Sequence, residues 1–151
     1  MRIALGDLSD PRVQELLRHH LAEMHAQSPE EHVHALDRRG LERPEIRFYA
    51  VWDGEDLLGC GALKDLGDGT GEIKSMRTAD AHLRKGVAGR LLEHLVAEAR
   101  RRGYTRLSLE TGRGPAFEPA LALYRRHGFS PGPPFAGYEA SEFSQFLHLP
   151  L

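Results

Sequence analysis

The residues of this 151-residue chain best suited to chemistry lie between Gly71 and Leu95, in GEIKSMRTADAHLRKGVAGRLLEHL. Gly71 to Thr78 alternates β-branched and long side chains, Ala79 to Lys85 has no apolar period, and Val87, Leu91, Leu92, Leu95 and Val96 recur at helical spacing. A strand therefore runs into a helix N-terminus through a loop that ends at Gly86. The first N–H groups of a helix lack intrahelical partners and carry the positive end of its dipole, so such a loop suits a phosphate group. Gly86 lets the backbone approach an anion, Ala88 and Gly89 keep the first turn free of bulk, and Arg84, Lys85 and Arg90 add positive charge. The same residues also fit an ordinary glycine-started helix with solvated basic side chains, because short glycine motifs recur by chance.

Two other residue types invite chemistry and are read here as structural. Cys60 is the single cysteine, so no intrachain disulfide forms. Its neighbours, Leu57-Leu58-Gly59-Cys60-Gly61-Ala62-Leu63, read as a buried strand, which favours a packed thiol over a nucleophile. Five of the nine histidines, His19, His20, His25, His32 and His34, cluster early in the chain. They lack the spacing of a metal site, so no metal is expected; solvated or substrate-facing roles fit them better, His34 foremost.

The elements that must position these residues follow from pattern. Met1 to Gly6 reads as a short strand. Asp10-Pro11 offers an N-cap followed by Pro at the first helical position, and Val13, Leu16, Leu17, Leu21 and Met24 form the apolar stripe of a helix from Pro11 to Ala26. Ser28 and Glu31 have the spacing of a second, short helix start, fading by Leu36 or Arg38. Glu45 to Trp52 and Asp56 to Leu66 form a hairpin about Asp53-Gly54, and the glycine-rich turn at Asp65 to Gly71 returns the chain into the strand ahead of the phosphate loop. Thr105 to Glu110 is the next strand. It lies parallel to Gly71–Thr78 if the helix between them is a right-handed crossover. Pro115 to His127 is the last helix, stopped at Gly128, and after a stiff loop at Ser130 to Pro134 two strands, Phe135 to Tyr138 and Phe143 to Leu149, complete the sheet.

Composition bounds the class. A chain of 151 residues predicts a single domain, 1–151, with its own core. Lys plus Arg number 20 and Asp plus Glu 22, so the formal charge of −2 gives no reason to expect a nucleic-acid or membrane partner. No apolar run has the length of a membrane span and MRIALGDLSD turns polar too early for a signal peptide, so a cytoplasmic location is expected.

Leu83-Arg84-Lys85-Gly86-Val87-Ala88 resembles the acetyl-CoA pyrophosphate loop of the GCN5-related N-acetyltransferases (GNAT), whose pattern is Arg or Gln, two residues, Gly, one residue, then Gly or Ala. The Gly and Ala match; Leu83 stands where the family has Arg or Gln. Ala120-Leu121-Ala122-Leu123-Tyr124, followed by Gly128-Phe129, is similar to the family's second signature, Ala-x-x-Leu-Tyr with Gly-Phe beyond. Two signatures in order are more specific than either alone.

The resemblance implies a GNAT fold of the α/β (α+β) class. It comprises a mixed central sheet of about six to seven strands with an antiparallel N-terminal meander, and about four helices on both faces. Its fourth and fifth strands form a parallel pair splayed at the cofactor site. Acetyl-CoA would be the co-substrate, held by the loop from Leu83 through Arg84, Lys85, Gly86, Val87, Ala88 and Gly89 to Arg90. Met76, Arg77 and Thr78 would offer backbone groups to its pantetheine arm, and Thr111 would form the opposite lip. An Asn that the family often places three residues before the Ala aligned with Ala120 is here Phe117.

Transfer to an amine of pKa about 10.4 requires loss of a proton at neutral pH. The resemblance makes Glu72 the candidate base, Glu110 the second candidate, and Tyr124 the candidate acid, or hydrogen-bond donor, at the sulfur. On period two Glu72, Lys74 and Met76 share a face, unless a β-bulge, frequent in the family here, breaks the alternation. Glu72 also fits a plain ion pair at the sheet surface. For the acceptor, carboxylates such as Glu30, Glu31, Asp37, Glu139 and Glu142 suit a cationic amine, whereas Arg77 suits a carboxylate on an amino acid or other small acid. Three readings result: a small-molecule N-acetyltransferase, favoured because the chain lacks an evident peptide-recognition module; a protein or peptide acetyltransferase; and a non-catalytic acyl-CoA-binding module, against which Tyr124 and Glu72 argue. Family members are often homodimers, and the last strands with Phe143 and Phe146 are the place expected for such an interface.

Overall fold

In the computed structural model, which describes residues 1–30 and 36–151, the elements follow in the order β1 (Arg2–Leu5), α1 (Pro11–Gln27), α2 (Arg38–Leu41), β2 (Ile46–Asp53), β3 (Asp56–Asp65), β4 (Thr70–Thr78), α3 (Val87–Arg101), β5 (Arg106–Gly112), α4 (Glu118–Arg126), β6 (Ser130–Gly132) and β7 (Ser144–Pro150). Local chemistry starts them where the pattern places it. The Asp10 carboxylate accepts the Arg12 N–H at 2.9 Å and Pro11 fills the first position of α1. Gly54, at φ 59°, turns β2 into β3. Gly86, at φ 80°, opens α3 in the left-handed region that glycine adopts freely.

The seven strands form one sheet in the order β1-β2-β3-β4-β5-β7-β6. Every neighbouring pair is antiparallel except β4 with β5. The helical stripe of α3, Val87, Leu91, Leu92, Leu95, Val96 and Ala99, is buried and forms one core with Leu121 and Tyr124 of α4 and Leu107 and Leu109 of β5. A second core joins Val13, Leu16 and Leu17 of α1 and Leu41 of α2 to Phe48, Cys60 and Ala62. Cys60 is 1% exposed and burial pushes its thiol up to about 12, so it is a packed core thiol.

Two expectations change. The strand that pairs with β7 is Ser130–Gly132, not Phe135–Tyr138. Phe135 instead turns inward and packs its ring against those of Phe146 and His148, while the Ser108 hydroxyl and the Pro133 carbonyl bind the two ring nitrogens of His148. Phe146 is therefore buried, and Phe143, which is half-buried, packs its ring on Phe117. Of the short helix expected from Ser28 to Leu36 or Arg38, residues 31–35, and with them Glu31 and His34, lie outside the described residues; a four-residue helix follows at Arg38–Leu41, where the Asp37 carboxylate accepts the Gly40 N–H. The last α-helix begins at Glu118, preceded by a 3₁₀ turn at Pro115–Phe117.

Two irregularities of β4 interrupt the sheet near its centre. Its parallel ladder with β5 has three rungs, Thr70↔Arg106, Gly71↔Leu107 and Glu72↔Ser108. Beyond Glu72 the strands part, β4 continuing along β3 to Thr78 and β5 along β7 to Gly112. Between the rungs Cys60↔Arg77 and Ala62↔Lys74, two residues of β4 oppose the single Gly61. That bulge is centred on Ser75, which takes φ 57°.

Candidate active site

The parted strands leave a cavity of about 290 Å³ that runs from one face of the sheet to the other. On the α3 and α4 side it is lined by Tyr124, Ala120, Phe117 and Met76. On the α1 side it is lined by Glu72, Lys74, Arg77, His20 and Met24, with Glu110 and Thr111 on the β5 wall. The structure thus brings together Glu72, Met76, Arg77, Glu110, Thr111 and Tyr124.

The bulge decides which side chain faces which way. Cross-strand partners share a face, so Lys74 and Arg77 lie with Ala62 and Cys60 on the α1 side, and Glu72 lies there with its partner Lys64. Met76 crosses to the other face, where a Cβ on Gly61 would meet its sulfur at 2.5 Å and Leu91 at 3.0 Å. Glu72, Lys74 and Met76 therefore do not share a face; Glu72, Lys74 and Arg77 do.

Glu72 is 1% exposed. Its Oε2 accepts the Tyr138 hydroxyl at 2.7 Å and Lys74 Nζ at 3.2 Å, and Lys74 Nζ also donates to the Tyr138 oxygen at 2.8 Å. Among the described residues its Oε1 is buried with no hydrogen-bond partner. A buried acceptor left unpaired costs stability, so Oε1 is a site where an incoming N–H gains a full hydrogen bond. Burial and the Glu72 charge drive the Tyr138 phenol far up, which keeps its proton available to Glu72.

Tyr124 is 7% exposed, with its ring edge-on to Phe129. Burial pushes its hydroxyl up to about 12, so it is a donor, not a phenolate, at neutral pH.

At the N-terminus of α3, Arg84 at φ 63° and Gly86 at φ 80° fold the loop into a concave turn of amides. Arg90 N–H donates to the Gly86 carbonyl, and the amides from 87 to 89 belong to the helix end, where intrahelical acceptors run out. Val87 points into the core, and Gly89 faces Leu123 of α4 and His127 just past its end. Lys85 Nζ lies 3.1 Å from His82 Nδ1, and Leu83 is 54% exposed. This amide turn, the cations Arg84, Lys85 and Arg90 in and beside it, and the edge of β4 that has no strand partner past Glu72 fit a phosphate-bearing, extended group such as acetyl-CoA.

Three residues of the site are not assigned to it by sequence reasoning, although His20 is named among the solvated or substrate-facing histidines and Lys74 as a neighbour of Glu72 on its face. His20 sits one turn beyond Leu16 and Leu17 on the buried stripe of α1, a spacing that marks it as inward-facing. Lys74 follows Glu72 at period two. Tyr138 reaches Glu72 across 66 residues, and nothing local announces that contact. Among the described residues no group of three or more His, Cys, Asp or Glu is arranged to hold a metal, and no helix is long and apolar enough to cross a membrane.

Comparison with known proteins agrees with this architecture. The model of the Acetyltransferase (GNAT) family matches residues 13–129. The uncharacterized N-acetyltransferase YsnE of Bacillus subtilis (strain 168) is 50% identical over 147 residues, 97% of this chain and 97% of that protein. The IAA acetyltransferase of Azospirillum brasilense is 38% identical over 124 residues, 82% of this chain and 80% of that protein. Among solved structures, an acyl-CoA N-acyltransferase from Klebsiella pneumoniae superposes with a TM-score of 0.80 at 26% identity, covering 99% of this chain and 97% of that one. A Bacillus subtilis acetyltransferase in complex with CoA superposes at 0.74 and 20% identity, covering 99% and 98%. With both signature stretches inside the matched region and the parted parallel strands between them, the chain belongs to the GNAT family of acetyltransferases.

Proposed function

We propose that the chain moves an acetyl group from acetyl-CoA to a primary amine of a small molecule by direct attack in a ternary complex. The observation that carries this reading is the cavity passing through the sheet, with Tyr124 at one side and the unpaired Oε1 of Glu72 at the other. The thioester, when bound, supplies an activated acetyl group. The amides at the start of α3, with Arg84, Lys85 and Arg90, hold the pyrophosphate, and the free edge of β4 from Met76 to Thr78 holds the arm.

Glu72 Oε1 receives the proton that the amine nitrogen releases as its bond to the acetyl carbon forms. Removing that proton in advance from a free amine costs roughly 5 kcal/mol at neutral pH, which burial beside Lys74 offsets by favouring the uncharged form. Tyr124 donates a hydrogen bond to the sulfur as the C–S bond breaks. Because its pKa is about 12 against about 8.5 for a thiol, complete transfer of its proton is uphill by roughly 5 kcal/mol, so it stabilises the thiolate without giving the proton up.

Thiol release from acetyl-CoA across amino acids, polyamines, aminoglycosides and short peptides tests this reading. Saturable release with a small amine is the expected result. Binding of acetyl-CoA with no release by any amine would replace it with a non-catalytic acyl-CoA-binding module.

A further inference from the structure

We propose that the guanidinium of Arg77, seated on His20, is a carboxylate-binding site in the acceptor half of the cavity, so that the acceptor is an amine that also carries a carboxylate. The proposal rests on the acetyl-transfer reading above and names the class of acceptor for it.

The bulge at Ser75 is what brings Arg77 to this side. Strict alternation from Glu72 would send it to the face of α3; the extra residue pairs it with Cys60 and turns it toward α1 beside Glu72 and Lys74. It is thereby separated by the sheet from the core packed under the phosphate loop, and only its backbone remains for the pantetheine arm. Arg77 Nε donates to His20 Nδ1 at 2.9 Å, which leaves the proton of the imidazole on Nε2. His20 is 5% exposed, and burial, with the Arg77 charge next in size, lowers its pKa to about 4. A neutral histidine thus fixes the orientation of the guanidinium without cancelling its charge.

The other cation on this wall, Lys74, is matched by Glu72. Arg77 is not matched: among the described residues no carboxylate lies within 4.0 Å of it, Glu23 and Glu110 of the same cavity included, and Nε is its one hydrogen-bonding nitrogen. A half-buried, oriented guanidinium whose fork has no partner among the described residues suits a carboxylate, which it binds by two parallel hydrogen bonds. With Glu72 Oε1 lacking an N–H in the same cavity, the wall is complementary to a molecule carrying both groups.

The test compares matched pairs on the intact chain saturated with CoA: tryptophan with tryptamine, phenylalanine with phenethylamine, lysine with cadaverine, and 6-aminohexanoate with hexylamine. Binding is read by calorimetry, and turnover with acetyl-CoA by thiol release. At least one carboxylate-bearing member is expected to bind about 10- to 100-fold more tightly than its partner. Arg77→Gln is expected to collapse that preference to less than about threefold, and Arg77→Lys to restore part of it because charge without the fork still attracts an anion. Equal binding within every pair, absence of binding by all of them, or a preference that survives Arg77→Gln would overturn the carboxylate site. Carboxylate-selective binding without thiol release would instead keep the site and remove the transfer reading, so the two fail separately.

Discussion

A tyrosine whose proton is held as firmly as that of Tyr124 acts through the hydrogen bond it donates. Tyr124→Phe is therefore expected to lower kcat about 10- to 100-fold while the Kd of acetyl-CoA stays within about twofold, as read by thiol release and calorimetry. An unchanged kcat would remove the hydroxyl from the mechanism. The proposed base role of Glu72 and its pairing with Lys74 can be separated by substitution. As base it predicts that Glu72→Gln reduces turnover by about 100-fold or more. As the partner of Lys74, whose side chain is 7% exposed, it predicts a stability loss of about 3 kcal/mol from the uncompensated buried ammonium. Adding Lys74→Met to Glu72→Gln should recover the stability in urea denaturation and leave turnover low; joint recovery would reduce Glu72 to a structural residue.

At the scale of elements, the start of α3 depends on the backbone of one residue. A Cβ on Gly86 would meet nothing within 4 Å, so the cost of Gly86→Ala arises from φ 80° alone. It is expected to be about 1 kcal/mol in global stability, with a raised KM for acetyl-CoA as the loop relaxes out of its left-handed turn. The opposite case is Gly61, where φ is ordinary but a Cβ would stand 2.5 Å from the Met76 sulfur. There a substitution would push on the bulge that turns Arg77 toward α1. The first helix offers a control far from the cavity: Asp10→Ala removes an acceptor from its open end and should cost about 1 kcal/mol with no change in KM for acetyl-CoA.

For the whole molecule, His20 couples folding to pH. Its pKa is lowered from 6.5 to about 4, so between those values the unfolded chain binds a proton that the folded chain excludes. Stability therefore rises with pH across that window and is lost as pH falls through it, by up to roughly 3 kcal/mol. Urea denaturation from pH 4 to 7 should show that slope, and His20→Gln should flatten it. A slope that persists in the variant would assign the proton uptake elsewhere. The two cores on either side of the sheet meet across β3 and β4, so a loss of packing around His20 reaches the strand that carries Glu72 and Arg77.

Short-range chemistry alone determined much of this protein. The cap at Asp10-Pro11, the apolar stripe of α3, the glycine turns and the two signature stretches are each written within a few neighbouring residues, and these suffice for most of the order of the elements and for the glycine loop that opens α3. The parallel placement of β4 beside β5 also follows from local pattern, once the handedness of a crossover is applied. What tertiary structure decided is every feature that depends on partners distant in sequence. The swap of Ser130–Gly132 for Phe135–Tyr138 as a strand comes from Phe135 finding more burial against Phe146 than an edge position offers. The bulge at Ser75 depends on the register with Gly61, and it sets which side chains face the α1 side of the cavity. Tyr138 joins Glu72 and His20 joins Arg77 across 66 and 57 residues, because packing brings together side chains that no local periodicity relates.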